Sequence, residues 1–266
     1  MNAVKLYCMY VKVFFKSRSE YKVGFFLGIL ANFYCYLLTF LSFWIVVSRF
    51  QSIDGWGFED MSLLYGLNLF SYAVAGTFVW YNVFQLEKEI NSGRLDLYMT
   101  RPMSVLGQLI CSRFGDTFLG QIIVTLMFLV NALWKNGGQL SWPLVVYLFL
   151  VLAGGIALQA GAMILIGALS FWTMKSEKIG SFYYYDLRSL THYPLTIYPD
   201  WVKIMLTFFA PWAFINYYPA LVILGKAKTT ADYVLGLCSP AVGAGVLAVS
   251  IFAFHCGMKR YSSTGN

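Results

Sequence analysis

Five stretches of this chain, roughly residues 23–47, 61–84, 107–134, 142–171 and 238–258, are apolar and nearly free of charge. A helix of about 20 apolar residues matches the ~30 Å hydrocarbon layer of a bilayer. A soluble core would be built from shorter apolar runs that alternate with polar positions. Hydrophobic residues make up 59% of the sequence and charged residues 12%, about half the charged share of a soluble domain. The chain therefore reads as an all-α integral membrane protein, with residues 23–258 forming a single transmembrane domain.

A sixth crossing completes the count in one of two ways. Residues 201–224 are long enough to cross, but they contain Pro211, Asn216 and Pro219 and follow Pro194 and Pro199. Alternatively 178–194 crosses, and about 195–224 dips in and returns without crossing. That alternative places Asp186 and Arg188 in the membrane, where an isolated charge costs about 2.5–3.5 kcal/mol on insertion scales unless it faces protein or water. Both arrangements leave the 225–237 loop on the same side.

Lys and Arg favour cytoplasmic loops. Lys5, Lys12, Lys16, Arg18 and Lys22 precede the first span, Lys88, Arg94 and Arg101 follow the second, Lys175 and Lys178 the fourth, and Lys259 and Arg260 the last. All fall on one face, so both termini are expected in the cytoplasm, including a tail at 259–266. The net charge of +7 follows from this topology and from anionic lipid, and implies no nucleic-acid partner. Residues 1–22 are too charged for a signal peptide. Val4, Tyr7, Val11 and Phe14 recur at helical spacing opposite Lys5, Lys12 and Lys16, the pattern of an amphipathic helix lying on the membrane.

Catalytic and metal constellations are missing from the sequence. The five cysteines are scattered with no CxxC pair, and GKAKTT at 225–230 lacks the upstream glycine of a phosphate loop. His192, beside a Tyr-Pro turn, reads as a hydrogen-bonded interfacial side chain and not as a base. Small residues recur every four positions: Gly24 and Gly28 in the first span, Ala153, Ala157 and Gly161 in the fourth, Ala241 and Gly245 in the last. Such faces admit close helix packing, within the chain or against a partner. Arg113 and Asp116 are spaced to pair on one face of the third span.

The densest polar segment is EKEINSGRLDLYMTRPMS at 87–104, within a cytoplasmic stretch of about 85–105. Gln85 to Ile90 can extend the second span's helix, Asn91-Ser92-Gly93 stops it with a glycine able to take the left-handed conformation, and Arg94 to Met99 can form a short helix ended by Pro102. The expected product is a helical stub with Leu95, Leu97, Tyr98 and Met99 as apolar contacts and Arg94, Asp96 and Arg101 as a charged rim. It is shaped either as a docking element or as an ordinary topogenic loop.

Two spans, then GRLDLYMTRPMS, then four more crossings is an order that resembles the membrane subunits of ABC-2 type exporters. YPLTIYPDWVKIMLTFFAPWAFINYYPALVILG at 193–225, the GMKRYSSTGN ending and the basic, aromatic N-terminus carry the same likeness. The resemblance implies a bacterial inner-membrane permease of six spans that pairs with a second permease copy or homologue and with two separate ATP-binding subunits, which would hold ATP and Mg; this chain would bind no cofactor itself. It also implies that a coupling helix lies at about 91–103, bringing in Gly93, Arg94, Leu95, Asp96, Leu97, Tyr98, Arg101 and Pro102. Outward-facing re-entrant helices would precede the last span, with Pro194, Pro199, Pro211, Trp212, Asn216 and Pro219 as a gate. Cargo would be a drug, peptide, lipid or glycan leaving the cell.

Tyr34, Tyr36, Trp44, Tyr72, Trp80 and Tyr183 to Tyr185 lie in or near spans. They would suit a path for amphipathic or cationic organic molecules, and equally an interfacial aromatic belt that needs no ligand. A secondary transporter driven by an ion gradient is the alternative function, but it calls for half-chain repeats and mid-membrane carboxylates, and only Asp186 and Asp116 are candidates for the latter. A lipid-modifying enzyme lacks a nucleophile and base.

Overall fold

The computed structural model describes residues 22–49, 52–101, 103–135, 141–173 and 176–261, together with Cys8, Met9, Lys12, Val13 and Lys16. Most of the amphipathic segment expected at 1–22, and the tail beyond Tyr261, lie outside the described residues. The remainder is helical: α1 Lys22–Ser48, α2 Phe58–Val79, α3 Leu86–Asn91, α4 Arg94–Met99, α5 Val105–Ser112, α6 Phe118–Lys135, α7 Trp142–Leu169, α8 Ser176–Ser181, α9 Leu187–Ser189, α10 Asp200–Ile204, α11 Tyr217–Ile223 and α12 Thr230–Met258. Five helical stretches are long and apolar enough to cross a membrane, and a sixth is present if the bent pair that follows α9 counts as one.

Local chemistry sets the helix ends. Between α1 and α2 the chain reverses at Asp54 (φ 51°) and Gly55 (φ 79°), residue types that tolerate the left-handed region, while Ile53 and Trp56 exchange two backbone hydrogen bonds of 3.0 Å. Asp60 then accepts the Gly57 N–H at 2.8 Å and closes the first turn of α2. At α12 a full capping box forms: Asp232 N–H donates to Thr229 Oγ1 (3.1 Å) and Thr229 N–H to Asp232 Oδ2 (3.0 Å).

The core is organised around α2. In its most apolar window 83% of the residues are buried, against 6% for α1, which rests on the bundle along one narrow line. That line is set by Gly120 of α6, where any Cβ would collide with the Ile29 carbonyl, and by the stacked rings of Phe40 and Phe128. Helices α7 and α12 form the other tight pair. A Cβ added to Gly154 would lie 2.5 Å from the Pro240 Cα, Gly161 faces Leu247, and Gly243 sits against the Gly154 backbone. With backbones this close, dispersion contacts accumulate where lipid offers no hydrophobic drive.

The small-residue spacing therefore identified the helices but not all of the contact positions. Gly161 packs as expected and Ala157 is half-buried. Gly24 and Gly245 have no neighbour within 4 Å of a built Cβ, Gly28 makes only an ordinary contact with Thr117, and Ala241 is exposed. On α12 the contact residue is Gly243, two positions from Gly245 and so on a different face of the helix.

The third apolar run is not one helix. It breaks between α5 and α6, and Arg113 is extended (φ −147°, ψ 126°). The Gly115 N–H donates to the Thr77 carbonyl at 2.8 Å, and the Phe118 ring fills the space beside Gly76 and Gly115. The helical face on which Arg113 and Asp116 were expected to pair does not exist; the Arg113 guanidinium instead lies over the Tyr81 ring at 4.3 Å.

Contacts with α2 trace the remaining chain. Ser176 lies at the end of the bundle marked by Glu87 (3.1 Å) and Ser170 (2.6 Å). Further along, Tyr184 meets Tyr72 and Trp80, Thr191 bonds Asn68, and Leu195 shares a cavity with Trp56 at the opposite end. Residues 176–192, helical with a π-turn at Phe182–Asp186 and a final 3-10 turn, thus run the height of the bundle, roughly 25 Å at 1.5 Å per residue. The bent pair comes next. Asp200–Phe209 and Trp212–Ile223 meet at 78°, and residues of both arms, Lys203 and Leu221, line that same cavity beside Asp54 and Gly55. The bend falls at Ala210 (ψ 89°), as expected before Pro211. The pair is thus either a broken span or a re-entrant loop, the two arrangements read from the sequence.

Lys226 fastens the loop that follows the bent pair. Its Nζ reaches Asp60 Oδ2 at 2.5 Å and the Gly55 carbonyl at 2.9 Å, tying the loop before α12 to the turn before α2.

Candidate coupling site

Helix α2 reaches the polar segment through a π-helical turn, Trp80–Phe84, and α3. Ser92 and Gly93 then reverse the chain; Gly93 has φ 67°, a conformation that costs other residues about 1–2 kcal/mol. The short helix α4 begins at the next residue, as the sequence suggested. Arg94 folds back on the turn, with Nη2 3.0 Å from Glu89 Oε1 and Nε donating to Ser92 Oγ at 3.1 Å.

The stub is held by its inner side. Leu95 is fully buried, and Tyr98 is half-buried with its carbonyl accepting from Gln108 Nε2 at 2.9 Å. The same amide donates to the Met103 carbonyl at 3.0 Å, closing the loop from α4 to α5. Asn82 Nδ2 donates to the Leu109 carbonyl and to Ser112 Oγ, which clamps α5 to the π-turn. Leu95 therefore anchors the stub and cannot be one of its outward contacts, and Tyr98 offers only part of its ring. Leu97, 61% exposed, and Met99, 47% exposed, are the apolar side chains left facing out, with Arg94 and Arg101 exposed beside them. Pro102 lies outside the described residues.

Asp96 has an inward partner as well. The Tyr261 hydroxyl, just past the end of α12, donates to Asp96 Oδ1 at 2.9 Å. Burial, with Asp96 adding to it, raises the Tyr261 phenol above its ordinary range, so it stays a donor at neutral pH. A raised folded-state value means the contact is fully present below the ordinary tyrosine pKa of about 10 and is lost as pH rises through the folded value. Tyr261→Phe is expected to weaken the latch by about 1 kcal/mol, giving roughly five-fold faster amide exchange across 94–99 at neutral pH. Hydrogen-exchange mass spectrometry checks this.

Behind the stub, buried polar groups link three elements. Tyr184 donates to Gln159 Oε1 (2.5 Å), Gln159 to the Asn68 carbonyl (3.4 Å), Asn68 to Thr191 Oγ1 (2.9 Å), and Thr191 to the Arg188 carbonyl (2.8 Å). Asn216 donates to the Thr191 and Leu64 carbonyls (2.6 and 3.1 Å), pinning the bent pair to α2 and to segment 176–192. Trp212 is fully buried beside Tyr183 and Tyr184. Of the proline positions, Pro194 and Pro219 are buried, Pro211 is half-buried and Pro199 is exposed. Sequence reasoning missed Asn68, Gln159 and Thr191; the signal was there, since an amide inside an apolar run must find a partner. His192 departs from its expected role: among the described residues its buried Nε2 has no hydrogen-bond partner, and its ring abuts Tyr65.

Among the described residues, no group of three or more His, Cys, Asp or Glu is placed to hold a metal ion. Comparison with curated proteins and with solved structures returns no match. A family model described as ABC-2 family transporter protein matches residues 33–265. That span takes in the crossings, the stub, the broken third run and the bent pair, and the chain belongs to the ABC-2 family of membrane transporter proteins.

Proposed function

We propose that this permease is half of an ATP-driven bacterial exporter, and that α4 is where it receives force. The observation that carries the reading is the asymmetry of the stub. One side is fastened to the bundle through Leu95, Gln108 and Tyr261, while Leu97 and Met99 are presented outward at the end of the longest helical rod, Phe58–Asn91. A contact meant to transmit displacement needs both a rigid mount and a free apolar face. Two ATP-binding subunits, made as separate chains on the cytoplasmic side, would each seat one stub, and a second permease copy or homologue would complete the path.

ATP and Mg would stay on those subunits. Closure of the ATPase pair would draw the stubs together, and the two permease halves would rock to open the path outward. The bent pair, with Pro211 at its corner and Trp212 and Asn216 buried at its foot, would be the outer gate. Irregular backbone at membrane depth persists only where protein or a water-filled cavity surrounds it.

The test is co-purification. The double variant Leu97→Asp, Met99→Asp should insert and elute like the parent chain but lose its ATPase partner, with binding weakened at least 100-fold, because two apolar anchors are replaced by charges. Retention of the partner at parental stoichiometry would remove α4 as the docking element.

A further inference from the structure

Residues 176–192 carry a cation at mid-height in the bundle. Arg188 is 6% exposed, and among the described residues its buried Nε and Nη1 have no hydrogen-bond partner. Among the described residues no carboxylate forms an ion pair with it. What surrounds it is aromatic. The guanidinium lies 4.2 Å from the Tyr72 ring centroid and 5.3 Å from that of Tyr184, and Tyr36 of α1 and Tyr185 are within its electrostatic range. Ring faces recover part of the cost of desolvating a guanidinium, but they leave the in-plane donors at Nε and Nη1 unused.

A buried cation with idle donors at this depth is a site for an anion, since an uncompensated charge there is costly and a bidentate carboxylate or phosphate matches the guanidinium fork. An approach exists on the same segment. Tyr185, Asp186 and Ser189 are exposed on either side of the buried Arg188 in the chain. An aromatic path could have suited a cationic molecule; here the protein's own cation already occupies the Tyr72 ring.

We propose that Arg188, within its cage of tyrosines, binds the anionic head of an amphipathic molecule, a phosphate or carboxylate on an apolar tail. That such a molecule is cargo rests on the exporter reading above; the binding itself does not. Asp186, on the exposed side, would disfavour an anion that stopped at the rim and leaves the buried guanidinium as the point of attachment.

The experiment titrates purified permease in maltoside micelles with dodecyl phosphate, dodecyltrimethylammonium and inorganic phosphate, read by tryptophan fluorescence, because Trp80 and Trp212 both contact the cage tyrosines. Dodecyl phosphate should bind at least ten-fold more tightly than either of the others, and at least ten-fold more weakly to Arg188→Gln, with Arg188→Lys retaining most of the binding. Equal affinity in the parent chain and Arg188→Gln, or preference for the ammonium, overturns the site. Should Arg188→Gln fail to fold, the three-probe comparison on the parent chain and on Arg188→Lys still decides. Asp186→Asn separates an internal counter-ion: if it restores the heat stability lost in Arg188→Gln, Asp186 is the partner and the proposal fails. Repeating the titration in phosphatidylcholine nanodiscs distinguishes sources. Persistent dodecyl phosphate binding marks a ligand that is not bilayer lipid, and its disappearance marks a lipid phosphate as the occupant of the same anion site. Loss of ATPase co-purification would remove the word cargo and leave this binding result untouched.

Discussion

Gly243→Leu is expected to prevent this permease from reaching its folded state. Gly243 packs against the backbone of Gly154, and a Cβ there would overlap the Gly154 carbonyl oxygen, an atom that cannot swing aside as a side chain could. The neighbouring contact of Gly154 with Pro240 rules out a compensating slide of α12, because separating the helices at one point opens them at both. Overpacking a well-packed contact costs roughly 3 kcal/mol or more when backbone must move. Gly245→Leu, two residues along the same helix with nothing within 4 Å, should leave the monomer fold unaffected. Size-exclusion profiles and heating midpoints of the two detergent-extracted variants make the comparison; a monodisperse, parent-like Gly243→Leu would refute the α7–α12 packing.

On the coupling role proposed for α4, deleting Gly93 should leave a chain that inserts and keeps its proposed ATPase bound and hydrolysing, but transports at least ten-fold less. The residue occupies the left-handed turn that folds α4 back on α3, and removing it turns the stub by about 100° relative to α3. Leu95 then leaves its buried seat and Asp96 leaves the Tyr261 hydroxyl, so the stub keeps its sequence while losing its mount. Gly93→Ala is the graded version, costing about 1 kcal/mol for the strained φ and lowering transport without abolishing it. Transport into inverted vesicles, measured beside ATPase activity, checks both; transport and hydrolysis that remain coupled after the deletion would exclude force transfer through α4.

Much of this architecture is legible in one dimension. Apolar runs of bilayer length mark the helices Lys22–Ser48 and Trp142–Leu169 almost to the residue and the end of Thr230–Met258, whose capped start lies eight residues before its apolar run, since satisfying the backbone in lipid leaves little choice of conformation. The stub is legible for a related reason. Asn91-Ser92-Gly93 is a local stop signal, and local signals do not wait on tertiary contacts. The break at Arg113–Thr117 was not legible, because it is enforced by the Thr77 carbonyl and the Phe118 ring, both of which belong to the packing of α6 on α2. Hydropathy alone did not place residues 176–192 against α2 either. Their buried charge, Arg188, becomes tolerable only beside Tyr72, a residue more than a hundred positions earlier in the chain.

By itself the sequence determined that this chain lives in a membrane, where its helices run, and where it turns back to present a polar stub, because each of these follows from bilayer thickness and from the conformational limits of single residues. Only the tertiary structure decided which small residues are contacts and which face outward, that the proline-rich stretch bends sharply at Ala210, and that a cation is enclosed at mid-height with unused donors. Those outcomes depend on which surfaces meet, and helical periodicity specifies a face without naming its partner.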